Sequence, residues 1–149
     1  MCIGVAHRRG HNGALEMECP FCAIDPDREV CRNALAIALR DAFPVSDGHT
    51  LITPFRHVPS WFEASVEERT AMFDLVDTVK AALDTELHPD GYNIGMNIGQ
   101  AAGQTVMHLH VHVIPRFAGD VDDPSGGVRF VIPARGNYRR PGYIPQLKD

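Results

Sequence analysis

Three histidines alternate with apolar residues in one short run, as His108, His110 and His112. If this run is a strand, the three imidazoles share one face, because successive strand side chains point to opposite sides. Imidazoles buried together need hydrogen-bond partners for their ring nitrogens. A purely structural role is therefore disfavoured, and the run indicates a site that does chemistry.

Two kinds of chemistry suit alternating histidines. They can ligate a catalytic metal ion, as imidazoles do in zinc and iron sites. Alternatively, one imidazole attacks a phosphorus while its neighbours bind phosphate oxygens or hold its tautomer. Just before the run, Gln104 and Thr105 supply an amide and a hydroxyl suited to phosphate oxygens, whereas the nearest following carboxylate is Asp120. This context favours phosphorus chemistry over a catalytic metal.

A cysteine pair, Cys19 and Cys22, has the spacing of a metal knuckle, which is half of a zinc site. A thioredoxin-like redox pair is disfavoured, because that motif opens a helix after a strand and the pattern here lacks such a unit. Tetrahedral zinc needs two further ligands, and His49, His57 and His108 are available. The residues alone do not decide between these histidines, nor do they exclude ordinary unliganded cysteines.

One helix and several strands must position these groups. Ser65 and Glu68 form a capping box, and apolar residues then recur at spacings of three and four as far as Leu87. Period-two patterns and turn residues predict the strands. These are a strand–turn–strand unit over residues 30–53, strands over 92–98 and 106–116, and a candidate strand over 128–132.

The order strand, strand, helix, strand, strand predicts an α+β architecture with an antiparallel sheet crossed by one main helix. At 149 residues the chain suits a single domain. Residues 1–18 show little periodicity, so we expect a flexible N-terminal extension. Residues 19–149 then form the domain, with an irregular tail from about residue 117.

Composition excludes several classes of protein. The net charge is −5 with no long basic run, which argues against a partner of duplex nucleic acid. No apolar stretch approaches the roughly 20 residues that span a bilayer, so no membrane partner is expected. The N-terminus lacks the apolar core of a signal peptide, and a cytoplasmic location is therefore expected.

The run from Gly103 to Arg116 resembles the signature of the histidine-triad (HIT) superfamily. Its ending, Pro115-Arg116, is closer to the fragile-histidine-triad and bacterial diadenosine-polyphosphate hydrolase branch than to the purine phosphoramidase branch. The resemblance extends through residues 48–57 and the helix, covering about residues 19–116. It implies a five-stranded antiparallel sheet with one long and one short helix, a homodimer, and a nucleotide pocket over the triad.

The resemblance also implies roles for single residues. His110 matches the nucleophile, which would form a nucleotidyl-histidine intermediate, and His112 matches a phosphate contact. Gln104 and Thr105 match side chains beside the bridging and α-phosphate oxygens. The zinc ligands implied by some family members are Cys19, Cys22, His57 and His108, in a structural site and with no organic cofactor. His108 would then be a zinc ligand and not a phosphate contact.

Three more residues are implied in nucleotide binding. Asp41 falls where the family binds ribose hydroxyls, although it could simply cap a turn. Asn97 falls where the leaving group lies, although it could satisfy strand-end backbone. His49 is expected either as a hydrogen-bond donor behind the site or as a core histidine.

The resulting hypothesis is a nucleotide hydrolase acting at an α-phosphorus, with diadenosine polyphosphate or a related nucleotide conjugate as substrate. A phosphorylase is the near alternative, in which inorganic phosphate replaces water. Phosphate would need fixed donors, and Arg116, one of the few candidates, could instead pair on the surface. A metal-dependent hydrolase and a non-catalytic nucleotide sensor are the rivals from other classes.

Overall fold

The computed structural model describes residues 19–143. Within them an α+β fold is built on one five-stranded antiparallel sheet, which confirms the expected fold class. The strands are β1 (Glu29–Arg32), β2 (Ala36–Arg40), β3 (Thr50–Pro54), β4 (Gly91–Gly95) and β5 (Val111–Arg116). Their order in the sheet is β1-β2-β3-β5-β4. The helices are α1 (Val66–Glu86) and the short α2 (Pro133–Gly136). The expected N-terminal extension, residues 1–18, lies outside the described residues.

Helix α1 begins where the capping box predicts. Ser65 Oγ accepts the N–H of Glu68, and the Glu68 carboxylate accepts the N–H of Ser65 at 2.8 Å. The apolar stripe of α1 packs on one face of the sheet, and each fully buried side chain contributes about 1.5–3 kcal/mol. The buried helix residues are Met72, Leu75, Val76, Val79 and Leu83, and they meet Ala36, Ala38, Ile52, Val111 and Val113.

The other face of the sheet carries a smaller apolar cluster and the histidines. Ile37, Leu39 and Leu51 point to this face, and Phe21 from the N-terminal segment covers them. In the β3–β5 ladder, Leu51 lies opposite His112. The histidine face therefore continues the surface that Phe21 covers, away from α1.

The region predicted as the first strand of the unit over residues 30–53 contains two strands. The Asn33 side chain accepts the N–H groups of Leu35 and Ala36 at 3.1 and 2.9 Å, and this turns the chain between β1 and β2. An asparagine that bonds to its own downstream backbone is a turn former. The apolar run that follows concealed this signal.

Three other strand predictions were wrong in part or in full. Residues 106–110 lie outside β5, because the β3–β5 ladder ends at Ile52–Val111, although β3 itself continues to Pro54. Backbone groups there bond elsewhere, with Leu109 N–H donating to Val58 O. Residues 128–132 form no strand, because Gly127–Val131 is a 3-10 turn that follows a left-handed glycine, Gly126.

The strand predicted over residues 92–98 also ends early, at Gly95. Beyond it, Gly99 and Gly103 adopt positive φ angles on either side of the 3-10 turn Gln100–Ala102. Within residues 19–143, no helix combines the length and the apolar character needed to cross a bilayer.

Candidate active site and metal cluster

His110 is held by the backbone just before β5. Its Nδ1 lies 2.8 Å from the carbonyl oxygen of His108, and a carbonyl can only accept. Nδ1 therefore carries the proton and donates it. The other ring nitrogen, Nε2, is left as the acceptor, which is the state a neutral imidazole needs in order to act as a nucleophile.

His112, the next residue on this face, lies on β5 with its ring centroid 5.1 Å from that of His110. Its Nδ1 is 3.0 Å from Nε2 of His49. Its Nε2 is the one buried side-chain polar atom of residues 19–143 that has no hydrogen-bond partner. Burial, reinforced by the His110 and His49 rings, lowers the pKa of His112 to about 4, so the ring is neutral near pH 7.

His49 and Asp41 stand behind His112. His49 is 3% exposed, and its Nδ1 is 3.3 Å from both the Asp41 carboxylate and the backbone nitrogen of Val45. Burial lowers the pKa of His49, opposed by the Asp41 charge. Of the two roles expected for His49, its contact with His112 favours that of a hydrogen-bonding residue behind the site. Asp41 also accepts the N–H of Phe43 at 2.9 Å, as a turn cap does.

The residues expected around the phosphates differ in their surroundings. Gln104 is buried, and its side-chain oxygen accepts the N–H of Gly99 at 2.7 Å. Its amide nitrogen donates to the carbonyls of Pro59 and Val106, so this side chain organises the loop before the histidines. Thr105, by contrast, is exposed.

A cleft of about 420 Å³ opens beside His112, between β4, β5 and the C-terminal segment. Asn97, His49 and Val45 also line it. A second cleft of about 680 Å³ runs on toward the end of β5. There Arg116 is bonded to both carboxylate oxygens of Asp120, at 2.6 and 2.7 Å. Arg116 therefore pairs with a carboxylate, as in the alternative in which it is not a phosphate donor.

The second cluster joins Cys19, Cys22, His57 and His108, whose ligand atoms all lie within 4.8 Å of one another. Sγ of Cys19 is 3.4 Å from Nδ1 of His108, and Sγ of Cys22 is 3.2 Å from Nδ1 of His57. His49 is not in this cluster, because it lies with Asp41 and His112. Of the histidines that the sequence left open, the fold brings His57 and His108 to the cysteines.

The backbone also sets the tautomer of His108. Its Nε2 lies 2.8 Å from the carbonyl of Pro54, so Nε2 carries the proton and Nδ1 faces the cysteines with its lone pair. This is the arrangement that orients a histidine as a metal ligand. Burial lowers the pKa of His108, which likewise favours the neutral ring.

One residue of the site was missed from the sequence. Phe21 packs against both rings, with centroids 5.9 Å from His108 and 5.0 Å from His110. The sequence did offer a reason to include it, because Phe21 lies between Cys19 and Cys22. If the two cysteines bind a metal, a residue between them is held close to the other ligands. Phe21 thus connects the cysteine segment to His110.

The sequence and its relatives identify the family. Residues 24–119 match the family model of the HIT domain. The chain belongs to the HIT family. This confirms the resemblance that the histidine run carries.

Relatives and solved structures of HIT proteins give further comparisons. A Zn-bound histidine triad family protein from Mycobacterium smegmatis is 36% identical, with a TM-score of 0.64 over 70% of this chain and 78% of that one. The adenylylsulfatase HINT3 of Arabidopsis thaliana is 32% identical over 70% of this chain and 55% of its own. The AP-4-A phosphorylase of Mycobacterium tuberculosis is 31% identical over 62% of this chain and 48% of its own. The family thus includes relatives named for nucleotide-processing activities.

Proposed function

We propose that this HIT protein cleaves nucleotides at an α-phosphorus through a covalent intermediate on His110. The observation that carries the proposal is the hydrogen bond from His110 Nδ1 to the carbonyl of His108, 2.8 Å long. It leaves Nε2 with a lone pair, and the ring of His112, whose buried Nε2 has no partner within residues 19–143, has its centroid 5.1 Å away. The proposed nucleophile and the proposed phosphate contact are therefore neighbouring rings.

The proposed reaction has two steps. Nε2 of His110 attacks the α-phosphorus, and the bond from phosphorus to the bridging oxygen breaks, so that the leaving group departs with that electron pair. Water then attacks the same phosphorus, the P–N bond breaks, and a nucleoside monophosphate leaves. The Nδ1–H bond to the His108 carbonyl disperses the positive charge that develops on the imidazole during the first step.

Other residues have supporting roles in this proposal. Asp41 binds the ribose hydroxyls, His112 contacts an α-phosphate oxygen, and Asn97 faces the leaving group from the cleft wall. Thr105, being exposed, is free to meet a phosphate oxygen. Gln104 acts through the loop that it holds.

The substrate class is a dinucleoside polyphosphate or a related nucleotide conjugate. The relatives named AP-4-A phosphorylase and adenylylsulfatase support this class, since both names denote cleavage beside an adenylyl group. The AP-4-A phosphorylase also makes phosphate a candidate acceptor in place of water. We prefer water, because Arg116 and Gln104 already have protein partners.

The four-residue cluster fits a structural zinc ion. Zinc bonds of roughly 2.0–2.3 Å in a tetrahedron place ligand atoms about 3.5 Å apart. Three S–N separations in the cluster, of 3.2, 3.4 and 3.6 Å, agree with that spacing. Cys19, Cys22, His57 and His108 would hold the ion, and the ion would contribute stability to the segment that leads to His110.

The quaternary state and location belong to the same proposal. Strand β4 is an edge strand of the sheet, and Ile94 on it is 40% exposed. An open edge is a template for pairing with a second copy, and we propose a homodimer joined there. A cytoplasmic location suits the zinc cluster, because a reducing compartment keeps cysteine thiols available as ligands.

The test is detection of the intermediate. The protein is mixed with a dinucleoside tetraphosphate or an adenylyl sulfate, quenched under alkaline conditions that preserve P–N bonds, and its intact mass is measured. One added adenylyl group is expected on the wild-type protein and none on His110→Ala. His110→Ala should lose at least about a thousandfold in kcat while retaining nucleotide affinity, since the nucleophile acts in the chemical step.

A matched control is His88→Asn, since His88 is exposed and has a positive φ angle that asparagine tolerates. This variant should react like the wild-type protein. Near-wild-type turnover by His110→Ala would contradict the proposal. Activity lost on chelation without any adduct would favour a metal-dependent hydrolase. Binding without turnover would favour a nucleotide sensor.

A further inference from the structure

A chain of hydrogen-bonding groups runs from the β2–β3 loop to the cleft. It begins with two groups that approach the same atom, Nδ1 of His49: the Val45 N–H and an Asp41 carboxylate oxygen, both at 3.3 Å. It continues from His49 Nε2 to His112 Nδ1 at 3.0 Å. It ends at His112 Nε2, which is buried and has no partner in residues 19–143.

The two groups at His49 Nδ1 require opposite states of that nitrogen. A backbone N–H can only donate, so the Val45 contact needs Nδ1 without a proton. An ionised carboxylate can only accept, so a bond to Asp41 needs Nδ1 with a proton. A neutral imidazole has one protonated nitrogen, and His49 therefore satisfies only one of the two groups at a time.

The position of the proton on His49 determines which nitrogen of His112 is protonated. If Val45 donates to Nδ1, the proton of His49 sits on Nε2 and is donated to His112 Nδ1, so His112 carries its own proton on Nε2. If His49 instead donates to Asp41, its Nε2 accepts from His112 Nδ1, and His112 Nε2 becomes a bare lone pair. Only the first arrangement gives the cleft a hydrogen-bond donor, and a bare lone pair would repel a phosphate oxygen.

We propose that the backbone amide of Val45 sets the tautomers of His49 and His112, with Asp41 as its competitor. Binding of a ribose diol to Asp41 would remove that competitor and fix His112 as an Nε2–H donor toward phosphate. This second part rests on the proposed function, because it assumes that Asp41 binds ribose. Nucleotide occupancy would in this way prepare the donor that the reaction uses.

The structure supports the first arrangement in the free protein. The Val45 N–H is directed at His49 Nδ1, and the loop that carries it is fixed at several points. Asp41 N–H donates to His49 O at 2.9 Å, His49 N–H donates to Ser46 O at 3.0 Å, and Ser46 Oγ donates to Pro115 O at 2.6 Å. Burial lowers the pKa of both His49 and His112, which keeps both rings neutral. Each ring then has a single protonated nitrogen and therefore a defined tautomer.

Histidine tautomers can be read directly by long-range ¹H–¹⁵N NMR on protein labelled at histidine. The proposal expects His112 to be mainly Nε2–H in the wild-type protein and entirely so with adenosine monophosphate bound. Val45→Pro removes the amide hydrogen, and His112 should shift to Nδ1–H. Val45→Ala keeps the amide and is the matched control, with a wild-type spectrum. Asp41→Asn removes the carboxylate, and His112 should be Nε2–H with or without nucleotide.

Turnover gives a second readout. Val45→Pro should lower kcat roughly a hundredfold relative to Val45→Ala, as does removal of one oxyanion donor elsewhere, because both variants lose the valine side chain and only Val45→Ala keeps the amide. An unchanged His112 tautomer in Val45→Pro would overturn the proposal. If that variant does not fold, an Nδ1–H signal for His112 in Asp41→Asn would overturn it equally.

These outcomes are separable from failure of the proposed function. If the protein binds no nucleotide, the spectra of the free variants still decide the role of Val45. If nucleotide binds and turns over but leaves the tautomer population of the wild-type protein unchanged, the coupling through Asp41 is wrong and the His110 chemistry stands.

Discussion

Three histidines of one short run have three different environments, and the difference lies in their hydrogen-bond partners. His108 donates from Nε2 to Pro54, whereas His110 donates from Nδ1 to the His108 carbonyl. His112 bonds to another imidazole and presents an unpartnered nitrogen. Backbone carbonyls thus set which nitrogen of His108 and of His110 carries the proton, so residue type alone does not define the roles proposed for them.

The prediction at the residue scale is that water, and not phosphate, accepts the nucleotidyl group. With a symmetric dinucleoside tetraphosphate, we expect nucleoside monophosphate and triphosphate as products even with millimolar phosphate present. A phosphate dianion needs fixed donors, and Arg116 is bound to Asp120 while the Gln104 amide is bound to backbone. Chromatography identifies the products, and reaction in ¹⁸O-labelled water should place one label in the monophosphate.

The control is the same reaction with phosphate replaced by chloride at equal ionic strength, which should give the same products. Nucleoside diphosphate as the main product in phosphate would show that phosphate is the acceptor. The nucleophilic role proposed for His110 would be unaffected by that result.

At the scale of elements, α1 is tied to the connection that brings His57 to Cys19, Cys22 and His108. The Glu68 carboxylate serves both the capping box and Arg56, with oxygens 2.7 and 2.6 Å from the guanidinium. Arg56 is adjacent to His57 in this β3–α1 connection. The helix start therefore fixes the chain next to a proposed zinc ligand.

This ion pair predicts a pH dependence of stability. The Arg56 hydrogen bond, with help from the Ser65 amide, holds the pKa of Glu68 below its ordinary value. A lowered carboxylate pKa stabilises the fold above the unfolded value of about 4.3, and this contribution is lost as the pH falls through the folded value. Glu68→Gln should lower the free energy of unfolding at pH 7, because it removes the charge that pairs with Arg56. The loss should be only about 1 kcal/mol, since the Arg56 side chain is largely exposed and water screens the pair.

Urea unfolding at a series of pH values measures this effect. The difference between the wild-type protein and Glu68→Gln should shrink below about pH 4.5, as the wild-type carboxylate becomes protonated. Asp77→Asn, on the exposed side of α1, is the control and should change stability by less than about 0.5 kcal/mol throughout. A difference that stays constant down to low pH would mean that the charge of Glu68 contributes nothing.

At the scale of the whole molecule, the proposed zinc cluster joins three distant parts of the chain. They are the N-terminal segment with Cys19 and Cys22, the β3–α1 connection with His57, and the run before β5 with His108. We predict about one equivalent of zinc in protein purified without chelator, measured by elemental analysis. Cys19→Ser/Cys22→Ser should lose the metal and roughly 10 °C in Tm, which corresponds to about 3 kcal/mol.

The matched control is Cys31→Ser, a half-buried cysteine on β1 that lies outside the cluster. This variant should keep its zinc. Fresh wild-type protein without metal would contradict the zinc proposal and leave the catalytic one intact.

The second prediction at this scale concerns assembly. The chain has a mass of 16.4 kDa, and light scattering should give twice that value for the homodimer. Ile94→Lys puts a charge on the edge strand β4, which disfavours pairing, and should give a folded monomer. Val66→Lys is a matched control on α1, where Val66 is 64% exposed, and should remain dimeric. A wild-type monomer, or a dimer unaffected by Ile94→Lys, would refute pairing through β4.

Sequence by itself determined the features that depend on local pattern. The capping box and the stripe of apolar residues located α1, because a helix satisfies its first N–H groups and buries one face through residues close in sequence. The alternation of histidines with Leu109, Val111 and Val113 placed the imidazoles opposite the core. The long signature around the three histidines, residues 103–116, identified the family.

Tertiary structure decided what depends on contacts between distant residues. His57 lies with the two cysteines, whereas His49 lies with His112. These neighbours depend on how β3 pairs with β5. That pairing joins residues distant in sequence, so local pattern does not predict it. The start of β5 at Val111 was hidden for the same reason, since residues 106–110 have no ladder partner. The Val45 amide has no sequence signal at all, because every residue except proline carries the same group.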